Sequence, residues 1–163
     1  MKKYFLLSLL LLSFCRVSVA EYKAVDGDSL IRGDERIRLK GVDAPELYQK
    51  CRDENNNYYS CGEEAYDFLQ NLMAKGNVYC KCQKQRDRYK RKLCECFVSN
   101  LSLNREMISA GYAVAYKSKK YEELEAEAKK HKYGLWRGKF MRPAIYRALQ
   151  RANNPNYGKQ RKP

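Results

Sequence analysis

The chain has 163 residues, of which 33 are lysine or arginine and 19 are aspartate or glutamate, giving a formal net charge of +14. This length predicts one compact domain with one hydrophobic core, and the lack of internal repeats excludes a repeat array. The positive charge favours a polyanion or an anionic membrane surface as the partner. The 14 tyrosines interleaved with the cations favour single-stranded nucleic acid over lipid.

Residues 1–20 have the features of a secretory signal peptide. Two lysines precede the apolar run 5–14, and Ser18–Ala20 provides small side chains where a signal peptidase recognises them. The apolar run is too short to span a bilayer. Lipoprotein processing at Cys15 is disfavoured because a bulky residue precedes it. We therefore expect a secreted or periplasmic protein that begins near Glu21.

The first two predicted strands form a β-hairpin. Ser29–Arg32 and Glu35–Val42 are extended runs separated by a Gly-Asp turn. Side chains alternate along a strand, so Ile37 and Leu39 are expected to enter a core. The opposite face of the second strand carries three cations, Arg36, Arg38 and Lys40.

Carboxylates are predicted to gather at one end of this hairpin. Pro45 lacks an N–H and ends the second strand, so Asp43 and Glu46 follow on a loop. Asp28 comes just after the turn at residues 26–27, where the antiparallel return brings it near Asp43. Carboxylates that lie close together repel each other unless a positive charge lies between them. A hard cation such as Ca²⁺ or Mg²⁺ prefers ligands that are all oxygens, so this cluster predicts a metal site.

This stretch contains the groups needed for phosphodiester hydrolysis. Arg38 supplies a planar fork matched to phosphate oxygens, and a remaining carboxylate can act as a base toward water. The alternative interpretation is that Asp26–Asp28 is an ordinary turn and that the cations form a solvated strand face.

The residue patterns in the middle of the chain predict a loop, a helix and a second hairpin. The polar segment between Cys51 and Cys61 has no periodicity and indicates a surface loop. Apolar residues at helical spacing predict a helix over 62–75 that ends at a glycine. The runs 77–85 and 92–99 predict a hairpin with a basic turn, Arg86–Arg91, which is either a charged tip or a substrate contact.

Six of the seven cysteines remain after signal removal, and an even number in an exported chain predicts disulfides. A hairpin register centred on Arg88 brings two cysteine pairs face to face, within disulfide range. The predicted disulfides are Cys51–Cys61, Cys80–Cys96 and Cys82–Cys94. Free thiols in the core and a Cys₄ zinc site remain alternatives, although zinc sites more often have C-x-x-C than C-x-C spacing.

Two more helices follow the second hairpin. One is predicted over 101–110, and the other over 121–132, with Ser118 as N-cap, an acidic start and a basic end. We interpret His131 at the end of the latter helix as structural and not catalytic. Trp136 is expected to pack this helix onto the sheet.

Residues 138–163 form a basic extension. It contains one short predicted helix over 144–151, and its last dozen residues are expected to be mobile.

The motifs of this chain resemble those of the staphylococcal nuclease, or thermonuclease-like, family. Asp26–Ser29 matches the family's Asp-Gly-Asp-Thr turn. Arg38 and Asp43–Glu46 match an arginine five residues before an Asp-Thr-Pro-Glu loop. Asp87–Arg91 matches an Asp-Lys-Tyr-Gly-Arg block, and helical segments within 104–136 resemble the family's last two helices.

The resemblance covers residues 22–137, with three departures from the family pattern. Ser29 keeps the hydroxyl of the family's threonine, Ala44 loses one, and Lys90 replaces a glycine. The resemblance implies an α+β, mainly β fold, namely a five-stranded OB-fold barrel with about three helices, in a nuclease-like domain over 21–137.

The resemblance also implies a Ca²⁺-dependent endonuclease acting on DNA, RNA or both, and we expect it to be a monomer. The implied metal ligands are Asp28, Asp43 and the backbone carbonyl of Ala44. The implied catalytic residues are the general base Glu46 and the transition-state arginines Arg38 and Arg91. The implied substrate-binding residues are Arg88 and Tyr89.

Two other classes of function compete with the enzyme. A nucleic-acid-binding module that has lost catalysis should lack at least one of the five matched side chains, and this chain keeps all five. A cationic secreted protein would bind anionic surfaces with its acidic residues serving only as turns. EGTA should abolish nuclease action and leave charge-driven binding largely intact.

Overall fold

The computed structural model describes residues 21–157, and the predictions for residues 1–20 and 158–163 lie outside this part. The described chain contains four α-helices: α1 (Cys61–Met73), α2 (Leu103–Ser109), α3 (Glu122–Lys130) and α4 (Pro143–Asn153). Its ten strands are β1 (Tyr22–Asp26), β2 (Ser29–Arg32), β3 (Glu35–Leu39), β4 (Val42–Asp43), β5 (Cys51–Arg52), β6 (Tyr58–Tyr59), β7 (Val78–Arg86), β8 (Lys92–Val98), β9 (Leu101–Ser102) and β10 (Val114–Ala115). Between residues 21 and 157, no helix combines the length and apolar character that a membrane span requires.

The main sheet has the strand order β1–β2–β3–β8–β7, with the short β9 paired to β8. Neighbouring strands are antiparallel except for β3 and β8, which are parallel. β1 and β7 form the two edges, and the sheet curls into a half-barrel. With the four helices this is a mixed, mainly β architecture, which confirms the predicted OB-like fold.

The main hydrophobic core lies between the sheet and the helices. Ile37 and Leu39 are buried in it, as strand alternation predicted, and α1 contributes Ala65 and Leu69. Burying one leucine in this way contributes about 1.5–3 kcal/mol. β3 is shorter than predicted because Gly41, with a φ of +78°, turns the chain before β4.

The second hairpin has the predicted register at its cysteines, which face each other and form disulfides, but the register shifts between Cys82 and Arg86, so that Arg86 pairs with Lys92. The structure contains the three predicted pairs, Cys51–Cys61, Cys80–Cys96 and Cys82–Cys94. The disulfide prediction is confirmed, and these six cysteines are neither free thiols nor zinc ligands.

A smaller apolar cluster surrounds the Cys51–Cys61 disulfide. Val114 and Leu135 are buried there, and the ring of Trp136 packs edge-on against Phe140 with centroids 4.9 Å apart. This cluster attaches the segment that leads to α4.

The starts of two helices differ from the predictions. The helix predicted over 101–110 begins at Leu103, because the two preceding residues pair with β8 as β9. Ser118 makes no side-chain capping bond, because a 3₁₀ turn at Lys119–Tyr121 separates it from α3. The helix predicted over 144–151 is present as α4, with a proline in its first turn.

Candidate active site

Three segments bring the predicted acidic residues together with Arg38. Asp28 immediately precedes β2, whose first residue pairs with Arg38 of β3. Asp43 ends β4, which pairs with β10. Gly27 allows the turn between β1 and β2 to lie close to the loop after β4. A Cβ atom at Gly27 would be only 2.7 Å from the Cβ of Ala44.

The guanidinium of Arg38 lies between two buried carboxylates. Its Nη1 contacts Asp28 Oδ1, and its Nη2 lies 2.6 Å from Asp43 Oδ1. The two aspartate side chains are 2% and 1% exposed. Asp28 also accepts hydrogen bonds from the Ala44 N–H at 2.7 Å and from the Ser29 hydroxyl at 3.0 Å. These contacts fix the arginine and both carboxylates before any ligand binds.

Burial and neighbouring charges shift the pKa values of the groups in this site. Burial, helped by the charges of Asp26 and Asp43, raises the pKa of Asp28 well above its usual range, although Arg38 opposes the shift. Burial lowers the pKa of Arg38, but Asp28 and Asp43 outweigh this effect and raise it. Burial alone would raise the pKa of Asp26, but Arg38 and local hydrogen bonds lower it. Burial is the largest influence on the pKa of all three groups, and Arg38 opposes it at both Asp26 and Asp28.

Glu46 lies on the loop after β4, with a side chain that is 12% exposed. Its N–H donates to Gln49 Oε1 at 3.3 Å, and the fully buried Gln49 donates to the Met141 carbonyl at 2.7 Å. The start of α1 packs directly on this loop. A Cβ atom at Gly62 would lie 1.9 Å from the Glu46 carbonyl oxygen, so only glycine fits without moving the loop.

Arg91 approaches the cluster from the turn between β7 and β8. Its Nη1 lies 3.4 Å from the hydroxyl of Ser29, the residue that donates to Asp28. Asp87 holds Arg91 in place, accepting from its backbone N–H at 2.9 Å and from its Nε at 2.8 Å. Lys90 has a φ of +63°, the left-handed conformation that the family's glycine adopts more easily.

The predicted substrate-binding residues lie on the same turn. Tyr89 is 46% exposed. The guanidinium carbons of Arg88 and Arg91 lie 4.8 Å and 5.4 Å from the centre of its ring. The ring therefore offers a stacking face next to two cations, beside the arginine that reaches toward Asp28.

Arg147 of α4 is a site residue that the sequence analysis missed. Its Nη2 lies 2.8 Å and 3.1 Å from the two carboxylate oxygens of Asp43, and its Nη1 lies 3.2 Å from Glu46 Oε1. Burial lowers the pKa of Arg147, but the charge of Asp43 outweighs it and the net shift is upward. No local motif distinguishes this arginine from the other basic residues of the C-terminal extension.

The donor atoms of the cluster fit a hard cation. Asp28 and Asp43 supply carboxylate oxygens, and both side chains are buried at 2% and 1% exposure, where a cation could accept them as ligands. Within residues 21–157, no three side chains of the metal-ligating types converge on one point. A cation held here would therefore depend on Asp28, Asp43, backbone carbonyls and water.

Comparison with known proteins identifies similar sequences. The family model for staphylococcal nuclease homologues matches residues 36–138, a range that includes Arg38, Asp43–Glu46 and Asp87–Arg91. The chain is 32% identical over 124 residues to the succinoglycan biosynthesis protein ExoI of Rhizobium meliloti, covering 73% of this chain and 64% of that protein.

Two further relatives have names that state an activity. The chain is 30% identical over 132 residues to the endonuclease YhcR of Bacillus subtilis, covering 70% of this chain and 11% of that protein. It is also 30% identical over 131 residues to an uncharacterized endonuclease of Haemophilus influenzae, covering 75% of this chain and 65% of that protein. The chain thus spans less than two thirds of the length of each of these three relatives.

Proposed function

The chain belongs to the staphylococcal nuclease homologue family, and on this basis we propose that it is a secreted, Ca²⁺-dependent endonuclease that hydrolyses phosphodiester bonds of DNA, RNA or both. The observation that carries the proposal is the position of the Arg38 guanidinium between the buried carboxylates of Asp28 and Asp43, beside the loop that contains Glu46. A module that only binds nucleic acid through surface charge has no need to bury Arg38 and the two aspartates, because removing such groups from water costs free energy.

Glu46 acts as the general base in the proposed reaction. Its carboxylate orients a water molecule and takes its proton as the water oxygen attacks phosphorus. The bond from phosphorus to the leaving oxygen then breaks, and this oxygen takes up a proton from solvent water, so that the products are a phosphate monoester and an alcohol. Gln49 and the close packing of α1 keep the Glu46 loop in place, so the base does not have to be repositioned during the reaction.

Arg38 and Arg91 stabilise the transition state. Pentacoordinate phosphorus carries more negative charge than the substrate, and both guanidiniums are already fixed by Asp28, Asp43 and Asp87. Losing one preorganised charge of this kind typically costs about 10²–10³ in rate. Arg88 and Tyr89 would position the substrate through a phosphate contact and a stacked base.

Asp28, Asp43 and the Ala44 carbonyl would hold the Ca²⁺. When bound, the ion supplies Lewis-acid polarisation of a phosphoryl oxygen. A flexible, oxygen-only ligand set suits Ca²⁺ better than Mg²⁺, which requires strict octahedral geometry.

The disulfides support the proposed location. Three disulfides are typical of proteins in oxidising compartments, which supports secretion or periplasmic export. We also propose that the protein is a monomer.

The test is cleavage by the purified mature protein. DNA and RNA are incubated with Ca²⁺, Mg²⁺ or EGTA, and the fragments are separated on a gel. We expect cleavage with Ca²⁺, weak cleavage with Mg²⁺ and none with EGTA. Full cleavage in EGTA would overturn the metal assignment, and binding without cleavage under every condition would favour the non-catalytic module.

A further inference from the structure

The contacts of Arg147 go beyond what the proposed function uses. Its guanidinium contacts both carboxylate oxygens of Asp43 and one oxygen of Glu46. Asp43 is 1% exposed, and Arg38 contacts its Oδ1 from the other side. Two guanidiniums therefore surround a carboxylate that is also a proposed Ca²⁺ ligand.

These two arginines are held very differently. Arg38 is part of the central sheet and also pairs with Asp28. Arg147 is on α4, a helix in which Pro143 is the one buried residue. The apolar side chains of Ile145 and Leu149 on this helix are 53% and 45% exposed.

The α4 region is attached largely through polar groups. The Met141 carbonyl just before the helix accepts from Gln49 at 2.7 Å, and Arg142 pairs with Glu125 of α3 at 3.2 Å. Arg147 adds the contacts to Asp43 and Glu46. Of the two arginines at Asp43, Arg147 is the one that can withdraw without disturbing the core.

We propose that Arg147 is the resident counter-ion of Asp43 and Glu46 in the metal-free protein, and that the divalent cation displaces it. The inference rests on the proposed function, because it takes Asp43 as a metal ligand. A cation entering beside Asp43 meets two positive charges, and departure of Arg147 removes one of them. Arg147 therefore lowers the affinity for the cation and stabilises the site in its absence. Its departure also frees the Glu46 carboxylate for its role as base.

The experiment compares Ca²⁺ binding by the mature wild-type protein, Arg147→Ala and Arg147→Lys, measured by titration calorimetry. Arg151→Ala is the matched control, since it removes the same charge one turn further along α4 from an exposed position. We expect Arg147→Ala to bind Ca²⁺ on the order of fivefold more tightly or better, as for a typical coupling between competing ligands. Arg147→Lys should be intermediate, and Arg151→Ala should match the wild type.

Thermal unfolding provides a second readout. In EGTA, Arg147→Ala should melt at a lower temperature than wild type, because Asp43 loses a counter-ion. Added Ca²⁺ should raise its melting temperature by more than it raises that of the wild type. If Arg147→Ala does not fold in EGTA, Arg147→Lys still allows the affinity comparison.

Several outcomes would overturn the inference. One is equal or weaker Ca²⁺ binding by folded Arg147→Ala. Another is a rate loss of about a hundredfold at saturating Ca²⁺ with unchanged affinity, which would make Arg147 a transition-state residue. Wild-type protein that binds Ca²⁺ but never cleaves would overturn the proposed function instead, and the competition with Arg147 could still be measured.

Discussion

At the scale of single residues, Glu46, the proposed general base, and Gln49 differ in how deeply they are buried. Glu46 is partly exposed, whereas Gln49 is fully buried and bonds both to the Glu46 loop and to the segment before α4. A change in the Glu46 carboxylate alone should therefore leave the fold intact.

We predict that Glu46→Gln lowers the cleavage rate by at least about a hundredfold, because the amide cannot accept the proton of the attacking water. Its melting temperature should fall only slightly, because the amide loses the ion pair with Arg147 but its oxygen can still accept a hydrogen bond. Steady-state cleavage assays and circular dichroism measure the two properties. A variant that keeps wild-type activity would mean that another group is the base.

Arg38 is expected to matter for both rate and stability, because its guanidinium is enclosed by two buried carboxylates. Arg38→Ala should reduce the rate by about a hundredfold or more. It should also destabilise the metal-free protein by about 3–5 kcal/mol, since Asp28 and Asp43 lose their shared partner.

Arg36→Ala is the matched control for Arg38→Ala. Arg36 lies on the same strand and is exposed, so its loss should leave denaturant unfolding nearly unchanged. If Arg38→Ala is as stable as Arg36→Ala in EGTA, the buried ion pairs contribute far less than the geometry indicates.

The sequence was sufficient to predict the residues that belong to local motifs. Asp28, Arg38 and Asp43 could be placed together because a hairpin register and a proline determine their positions. Arg147 could not be predicted, since it reaches Asp43 across 104 positions and the basic extension offers several equivalent arginines. Its role depends on how α4 docks, which only the three-dimensional structure shows.

At the scale of elements, the turn between β7 and β8 carries three cations, Arg88, Lys90 and Arg91. Lys90 has a φ of +63° in this turn, a conformation that costs a residue with a side chain roughly 1–2 kcal/mol. Glycine avoids that cost but loses more entropy on folding.

We predict that Lys90→Gly raises the free energy of unfolding by up to about 1 kcal/mol, the balance of these two terms. Lys90→Ala should give no such gain, because it removes the charge and keeps the Cβ atom. Urea denaturation of the two variants distinguishes strain from charge repulsion. Equal stabilisation by both would assign the effect to charge.

The two disulfides of this hairpin should have different effects on function. Each closes a loop of 12 to 16 residues, and removing either should cost roughly 3 kcal/mol. Cys82→Ala/Cys94→Ala should lower activity more than Cys80→Ala/Cys96→Ala, because its cysteines lie nearer to Arg91. Melting curves and cleavage rates of both variants test this. Equal activity losses would mean that the disulfides act only on stability.

The predicted elements were largely correct because their signals are local. Strand alternation placed Ile37 and Leu39 in the core, and the predicted hairpin register placed the cysteines of β7 opposite those of β8. The predicted start of α2 was wrong because residues 101–102 pair with β8 as β9. Local periodicity cannot predict such a contact between strands.

At the scale of the whole molecule, the positive charge should control substrate binding, since removal of residues 1–20 takes away only Lys2, Lys3 and Arg16 from a chain with a net charge of +14. Each phosphate neutralised releases counter-ions, so affinity for a single strand should fall steeply with salt. We predict a loss on the order of tenfold or more between about 50 and 200 mM salt. Fluorescence anisotropy with Glu46→Gln in Ca²⁺ measures this without cleavage. An affinity independent of salt would indicate that stacking dominates.

The parallel pairing of β3 with β8 has a consequence for biosynthesis. Arg38 and Arg91 lie on or next to these two strands, which meet only after the whole intervening chain has been made. Arg147 follows still later in the chain. A growing polypeptide that still lacks β8 cannot bring Arg91 to Arg38, and contacts between such distant segments form slowly. Under the proposed function, a nascent chain of this length should not cleave nucleic acid.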